Sequence, residues 1–421
     1  MRTTDQPIFI HSLWRAGSTY VFQAFRRSPA GYWPYQEPIH EAAFYAKDNP
    51  DSLTDFTSES LQLRHPHLDL PYFYELQQVH AAWRGVLEKR IIYDDYFGTT
   101  SNEPLKNYFH ALIASAKSRP VIQECRTTSR IGIIRKMVVG THLYLWRNPW
   151  DQWWSFKIGE YFNAACLLII NAQNVPPIIL RLREEVSHEE FHDDNINEEL
   201  EHFQQRPLSA EHSYLVFYIL WCLGLLEGHL HADLMINIDC LSESSAYNQD
   251  IEACLNSLGV PEVDFSDCHI PQGHYFKEDC AFFNQVEDRA HELLLMSGYT
   301  EEIVDWLINI RRKYAPLRTP DMENNRLTRD LKRARRIALR YETTEAGRLQ
   351  NLHQAVADRD KQIVNLHQAV ADRDKQIVNL HQAVADRDKQ IVNLHQAVAD
   401  RDKQIVNLHQ AVADRDRRLS R

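Results

Sequence analysis

Arg15, Gly17, Ser18 and Thr19 lie within Pro7-Ile8-Phe9-Ile10-His11-Ser12-Leu13-Trp14-Arg15-Ala16-Gly17-Ser18-Thr19-Tyr20, an apolar run, a small-residue turn and then a helical pattern. A strand–turn–helix of this kind aims backbone N–H groups and the positive end of a helix at one point, which favours a phosphate-like anion. Gly17 would let the backbone approach a ligand closely. Ser18 and Thr19 would add hydroxyls, and Arg15 a charged fork. A Walker A loop is absent, so kinase or ATPase chemistry of that kind is disfavoured. A second candidate is Trp146-Arg147-Asn148-Pro149-Trp150-Asp151-Gln152-Trp153-Trp154-Ser155. Asn148 suits an N-cap and Pro149 a first helical turn. Ser155 follows Asn148 by nearly two turns, so Arg147 and Ser155 could grip one phosphate from two sides. The alternative is that Arg147 pairs with a carboxylate and Ser155 is surface.

These residues need a scaffold, and the pattern along the chain supplies one. Short apolar runs at Pro7–Ser12, Tyr32–Gln36, Pro120–Arg126, His142–Trp146 and Leu234–Ile238 read as strands. Helical patterns separate them, among them Phe73 to Leu87, Leu105 to Ala116 and Ser129 to Met137. Such alternation predicts an α/β fold, a parallel sheet flanked by helices. Arg15, Glu37, Arg126 and Arg147 all fall just past strand ends, the edge where ligands sit in such sheets.

Together the two segments resemble the bacterial-type sulfotransferases that use 3′-phosphoadenosine 5′-phosphosulfate (PAPS). Arg15-Ala16-Gly17-Ser18-Thr19 looks like the family's loop for the 5′-phosphosulfate, and Arg147 to Ser155 like its R-[ND]-P-x-D-x-x-x-S segment for the 3′-phosphate. Ile238-Asp239-Cys240-Leu241 and Leu258-Gly259 match later family features loosely. The likeness spans roughly residues 7–280 and implies a P-loop-like sulfotransferase fold. It implies cofactor contacts from Arg15, Ala16, Gly17, Ser18, Thr19, Tyr20, Arg147 and Ser155, and transfer of a sulfuryl group to a hydroxyl or amine. Trp14 departs from the usual proline. Ile270-Pro271-Gln272-Gly273-His274 stands where many members carry a basic loop over the nucleotide. The resemblance puts the general base at Glu37, with His40 and then Glu41 as alternates and Arg15 on the leaving-group side. Burial beside Tyr35 and Trp33 would raise the pKa of Glu37. Otherwise Glu37 only pairs with an arginine such as Arg126. Trp150, Trp153 and Trp154 are read as packing. The acceptor, whether carbohydrate, lipid or small molecule, is not specified.

Composition narrows the class further. The chain has 421 residues and a net charge of −11, yet residues 326–348 are basic and the body is acidic, a poor match for nucleic acid. Seven scattered cysteines without a C-x-x-C pair, and histidines without a ligand grouping, point away from disulfides and from a required metal. No apolar leader is evident, and the longest apolar run, Ser213 to Leu226, is too short to span a bilayer and reads as a buried helix. A cytoplasmic protein is expected.

From Asn351 the unit Asn-Leu-His-Gln-Ala-Val-Ala-Asp-Arg-Asp-Lys-Gln-Ile-Val repeats identically through Val406, with a partial fifth copy. Leu352, Val356, Ile363, Leu366 and Val370 trace a heptad seam with β-branched residues at a and Leu at d, which favours a parallel dimer. Arg359 and its copies take every second d. The expected organisation is a sulfotransferase domain at 1–325, a basic helical linker at 326–348 and an oligomerising coiled coil at 349–421. A catalytically silent sulfotransferase-like scaffold on the same rod is the alternative.

Overall fold

A computed structural model describes residues 6–53, 70–98, 102–156, 161–273, 275–316 and 320–419. The chain divides into two compact units, Met1–Leu317 and Arg318–Arg421.

In the first unit five strands, β1 (Ile8–Ser12), β2 (Trp33–Gln36), β3 (Pro120–Glu124), β4 (Thr141–Trp146) and β5 (Leu234–Asn237), form one sheet. All pairings are parallel, in the order β2-β3-β1-β4-β5. The strands are near-continuous apolar runs because both faces are covered. Ile8 and Ile10 join one buried cluster and Phe9 the other, as the two-residue period of a strand requires. Helix α1 (Ser18–Arg26) follows β1 and buries Val21, Phe22, Ala24 and Phe25. The β1 connection leads to one side of the sheet and the β4 connection to the other. The switch point therefore lies between β1 and β4, the place where an open α/β sheet leaves a crevice at its carboxyl ends.

The chain then supplies α2 (Glu41–Tyr45), α3 (Tyr74–Gln78), α4 (His80–Trp83), α5 (Glu103–Ser115), α6 (Ile131–Met137), α7 (Pro149–Phe156), α8 (Tyr161–Ile170), α9 (Pro177–Glu185) and α10 (Ile196–Gln204). After these come α11 (Ala210–His231), α12 (Ile238–Glu243), α13 (Ser245–Ser257), α14 (Lys277–Met296) and α15 (Glu301–Lys313). The single helix expected over Phe73 to Leu87 is two short ones. Val79 leaves helical geometry (φ −117°, ψ 21°), and the indole of Trp83 donates to the carbonyl of Leu76 at 2.8 Å, which folds the segment back on itself. Ile238, expected to end β5, instead opens α12. Helix α11 outruns the apolar stretch at both ends. It is long and apolar enough to cross a membrane, but 78% of its most apolar window is buried inside the unit.

Helix α7 carries the second candidate segment and is pinned from behind. The indole of Trp150 and the hydroxyl of Tyr214 both donate to Glu287 Oε1 at 2.7 Å. Arg311 donates to Glu287 Oε2 at 2.6 Å, with its guanidinium 4.2 Å from the centre of the Trp150 ring.

The second unit holds α16 (Pro320–Leu419), one helix of 100 residues. Residues 326–348 are part of this helix, continuous with the repeats.

Glu287 and Arg311 are both buried, so removing one charge strands the other. Glu287→Leu is expected to cost about 3–5 kcal/mol, measured by urea unfolding of the full chain followed by tryptophan fluorescence; a cost within 1 kcal/mol would mean the pair is effectively solvated.

Candidate functional site

The β1 corner is built around two left-handed residues, Arg15 (φ 66°) and Gly17 (φ 86°). A Cβ on Gly17 would lie 2.7 Å from Cγ1 of Ile238, so both the dihedral and the space demand glycine. Gly17 caps α1, leaving the first-turn N–H groups of Ser18 and Thr19 without partners inside the helix. Ser18 and Thr19 are themselves buried, and the Ser18 hydroxyl faces Cys125 Sγ at 3.8 Å. Tyr20 turns elsewhere, donating to Asp267 at 2.6 Å. Ala16 is fully buried, and the ring of Trp14, also buried, lies between Arg126 and Phe162.

The β4 corner meets this loop directly. Arg15 Nε donates to Ser155 Oγ at 2.8 Å, and Gln152 donates to the carbonyl of Trp14 at 2.8 Å. Asn148 caps α7, accepting from the Asp151 N–H at 2.9 Å. Ser155 and Arg147 do not converge on one point here, because Ser155 is held by Arg15. Arg147 instead reaches Asp239 (3.1 Å), Asp151 (3.6 Å) and the carbonyl of Pro271 (3.0 Å). Its Nε is buried without a hydrogen-bond partner among the described residues. Asp239, just past β5, also accepts from the backbone of Asn148 at 2.7 Å, so three βα corners close on one crevice. Pro271, Gly273 and Tyr275 come to the same place: the Gly273 N–H (2.7 Å) and the Tyr275 hydroxyl (2.5 Å) both donate to Asp151 Oδ1.

Glu37, His40 and Glu41 gather beyond β2 around Arg126, whose side chain is wholly buried. Arg126 donates to Glu37 at 3.0 Å, Glu41 at 2.6 Å, the Tyr161 hydroxyl at 2.9 Å and the Tyr93 hydroxyl at 3.2 Å. The Tyr72 hydroxyl donates to the other oxygen of Glu37 at 2.7 Å. Burial does not raise the Glu37 pKa as expected. Burial pushes it up, but Arg126, His40 and the Tyr72 hydroxyl together outweigh that and leave it below the ordinary carboxylate value. Tyr35 is not its neighbour in the expected sense, since the phenol donates to the carbonyl of Leu112. Glu41 falls to about 2, with burial overcome by Arg126, His40 and Tyr161. His40 Nδ1 accepts the Ala42 N–H at 3.0 Å as the cap of α2, and burial holds its pKa below the usual histidine value against the pull of Glu41.

Glu124, which sequence reasoning passed over as a strand end, is the carboxyl that burial does lift, to about 7. It accepts the N–H groups of Ile39 (2.5 Å) and Arg126 (3.0 Å), stitching the Glu37 loop to β3. Its position at the C-terminal end of a strand was the available signal. Tyr72, Tyr93 and Tyr161 were also missed, because they arrive from segments distant in sequence, the first two from turns and the third from the start of α8.

Of the tryptophans, Trp150 and Trp153 are buried, whereas Trp154 is exposed. Among the described residues, Asp94, His192 and Glu199 bring ligand atoms within 4.8 Å of one another. The Lys89 ammonium already lies among them, at 3.4 Å from Asp94 and 3.0 Å from Glu199. All seven cysteines are free thiols.

Comparisons with protein-family models, with curated proteins and with solved structures find no match.

Because the folded Glu124 pKa is raised, the native state holds its proton more tightly than the unfolded chain between about pH 4.5 and 7. Its contribution is present at the acid end of that window and is lost as pH rises through it. Melting wild type and Glu124→Gln from pH 5 to 8 is expected to show wild type losing ground relative to the variant as pH rises; a constant gap would place the Glu124 pKa outside the window.

Proposed function

We propose that the Met1–Leu317 unit is a PAPS-dependent sulfotransferase, and that the repeats of α16 form a coiled coil joining copies of the chain. The observation that carries the enzyme reading is the Arg15–Ser155 hydrogen bond at the β1/β4 switch point. It brings two anion-type segments, distant in sequence, to one crevice. The residues fit a bisphosphorylated nucleotide in two respects. The first turn of α1 offers N–H donors, and Arg147 keeps a buried Nε unpartnered among the described residues. Arg147 would exchange the Pro271 carbonyl for a phosphate oxygen, so Pro271 would shift as nucleotide enters. PAPS supplies an activated sulfuryl group.

In this reading the acceptor oxygen forms the new bond to sulfur while the bond from sulfur to the bridging phosphate oxygen breaks. Arg15 and the N-terminus of α1 stabilise the charge left on that phosphate. Glu37 takes the acceptor proton, releasing Tyr72 or Arg126 to do so. With its pKa depressed it is a weak base, so positioning and electrostatics carry most of the rate. His40 is a poorer candidate, its Nδ1 being committed to capping α2.

One observation favours the silent scaffold. Both oxygens of Glu37 are engaged by buried partners, as in a structural ion pair. The two readings separate in two measurements. Adenosine 3′,5′-bisphosphate is expected to raise the melting temperature of the full chain, and Arg147→Ala to abolish the shift; coincident melts with and without nucleotide would refute the enzyme. Against a panel of hydroxyl and amine acceptors with labelled PAPS, Glu37→Gln is expected to lose about 10²–10⁴-fold in transfer rate. Wild type that binds the nucleotide yet sulfates nothing would support the scaffold.

A further inference from the structure

The repeated helix presents a seam with nothing of its own unit to cover it. Ile377, Leu380, Val384, Ile391 and Leu394 stand 46–64% exposed. They continue the a and d positions of the heptad, with Arg373 and Arg387 at the intervening d positions. An ordinary apolar groove would cover the aliphatic residues but bury each arginine without a counter-charge, at a cost of several kcal/mol. A second copy of this chain does not, because Asp374 and Asp388 occupy the e positions next to the arginines. In a parallel pair each e side chain helps form the hole that receives the partner's d residue. The neighbouring carboxylates are already engaged on their own helix: Gln368 donates to Asp372 at 3.1 Å and Gln382 to Asp386 at 3.1 Å, each four residues on. The e-position aspartates are therefore the ones placed toward the seam.

The seam has a second property. Successive units are identical, so sliding one helix by 14 residues, about 21 Å at 1.5 Å per residue, puts every Ile, Val, Leu and Arg back opposite its own kind. Only one unit of overlap is lost. A slide of seven residues keeps the apolar period but sets arginine layers against leucine layers. Nothing within the repeats marks one 14-residue register as unique.

We propose that the repeats pair in parallel with those of a second copy in a ladder of registers spaced 14 residues apart, the Arg layers being held by the partner's e-position aspartates. This rests on the parallel coiled-coil reading above and goes beyond it in fixing the register and the partner of each Arg layer.

The test uses full-length chains carrying one added cysteine, co-expressed in pairs with tags of different size and oxidised mildly. Wild-type pairs give the background from native cysteines. Ile377→Cys with itself is expected to form a covalent dimer, which reports the parallel, in-register state. Ile377→Cys with Ile391→Cys is expected to give a mixed-tag dimer at least several-fold more abundant than Ile377→Cys with Val384→Cys, the seven-residue control. If the 14-residue and seven-residue pairs cross-link equally, the ladder is overturned while the coiled coil stands. A dimer by sedimentation that forms no Ile377→Cys self-link overturns the parallel orientation. A chain that sediments as a monomer overturns the coiled-coil reading itself.

Discussion

A guanidinium shut away from water must find its partners where it lies, and at Arg126 those partners carry charge. Two carboxylates and two phenols answer it, drawn from the loop beyond β2, the start of α8 and the segment after α4. These pieces have little other reason to meet. The left-handed turn at Glu37 (φ 37°) and the imidazole cap on α2 follow from bringing Glu37 and Glu41 to one cation. Glu124, a third carboxyl at the same place, is held by backbone N–H groups instead. Burial pushes all three acids up; Arg126, helped by His40, overcomes it at Glu37 and Glu41 but not at Glu124.

The crevice at the sheet's switch point is organised differently. Beside the pairing of Arg147 with Asp239 and Asp151, its contacts are directional hydrogen bonds: a guanidinium on a serine, an amide on a carbonyl, aspartates on backbone N–H groups. Asp151 and Asp239 each bond to more than one segment, which locks the β4 and β5 corners together and holds Gly273 and Tyr275 to them. Trp14, packed between Arg126 and Phe162, is the physical link from this crevice to the buried charge cluster.

Much of the scaffold was legible because the strands are short, apolar and bounded by turn residues, and because strand ends in a parallel sheet share one edge. Arg15, Glu37, Arg126 and Arg147 could be placed on that edge from position alone. The partners of Arg15 and Arg147 could not be named. Sequence spacing put Ser155 with Arg147, yet the left-handed backbone at Arg15 turns its side chain toward α7, and that is a matter of two dihedral angles. The pKa direction of Glu37 was misjudged because burial was given the greater weight; the alternative, a pairing with Arg126, is the contact the fold makes, and it outweighs burial. Helix α16 was the easiest to foresee, its repeat being free of Gly and Pro, and the basic helical linker at 326–348 runs into it without a break.

Ile238 fills the space that a methyl group on Gly17 would need, although it belongs to the corner beyond β5 and is itself buried. The position of the glycine turn is thus set in part by a side chain outside it. A smaller residue at 238 would leave a hollow behind the turn, and a larger one would press the turn outward. The β1 corner could therefore be reshaped over evolutionary time from the β5 corner, while its own sequence stays unchanged.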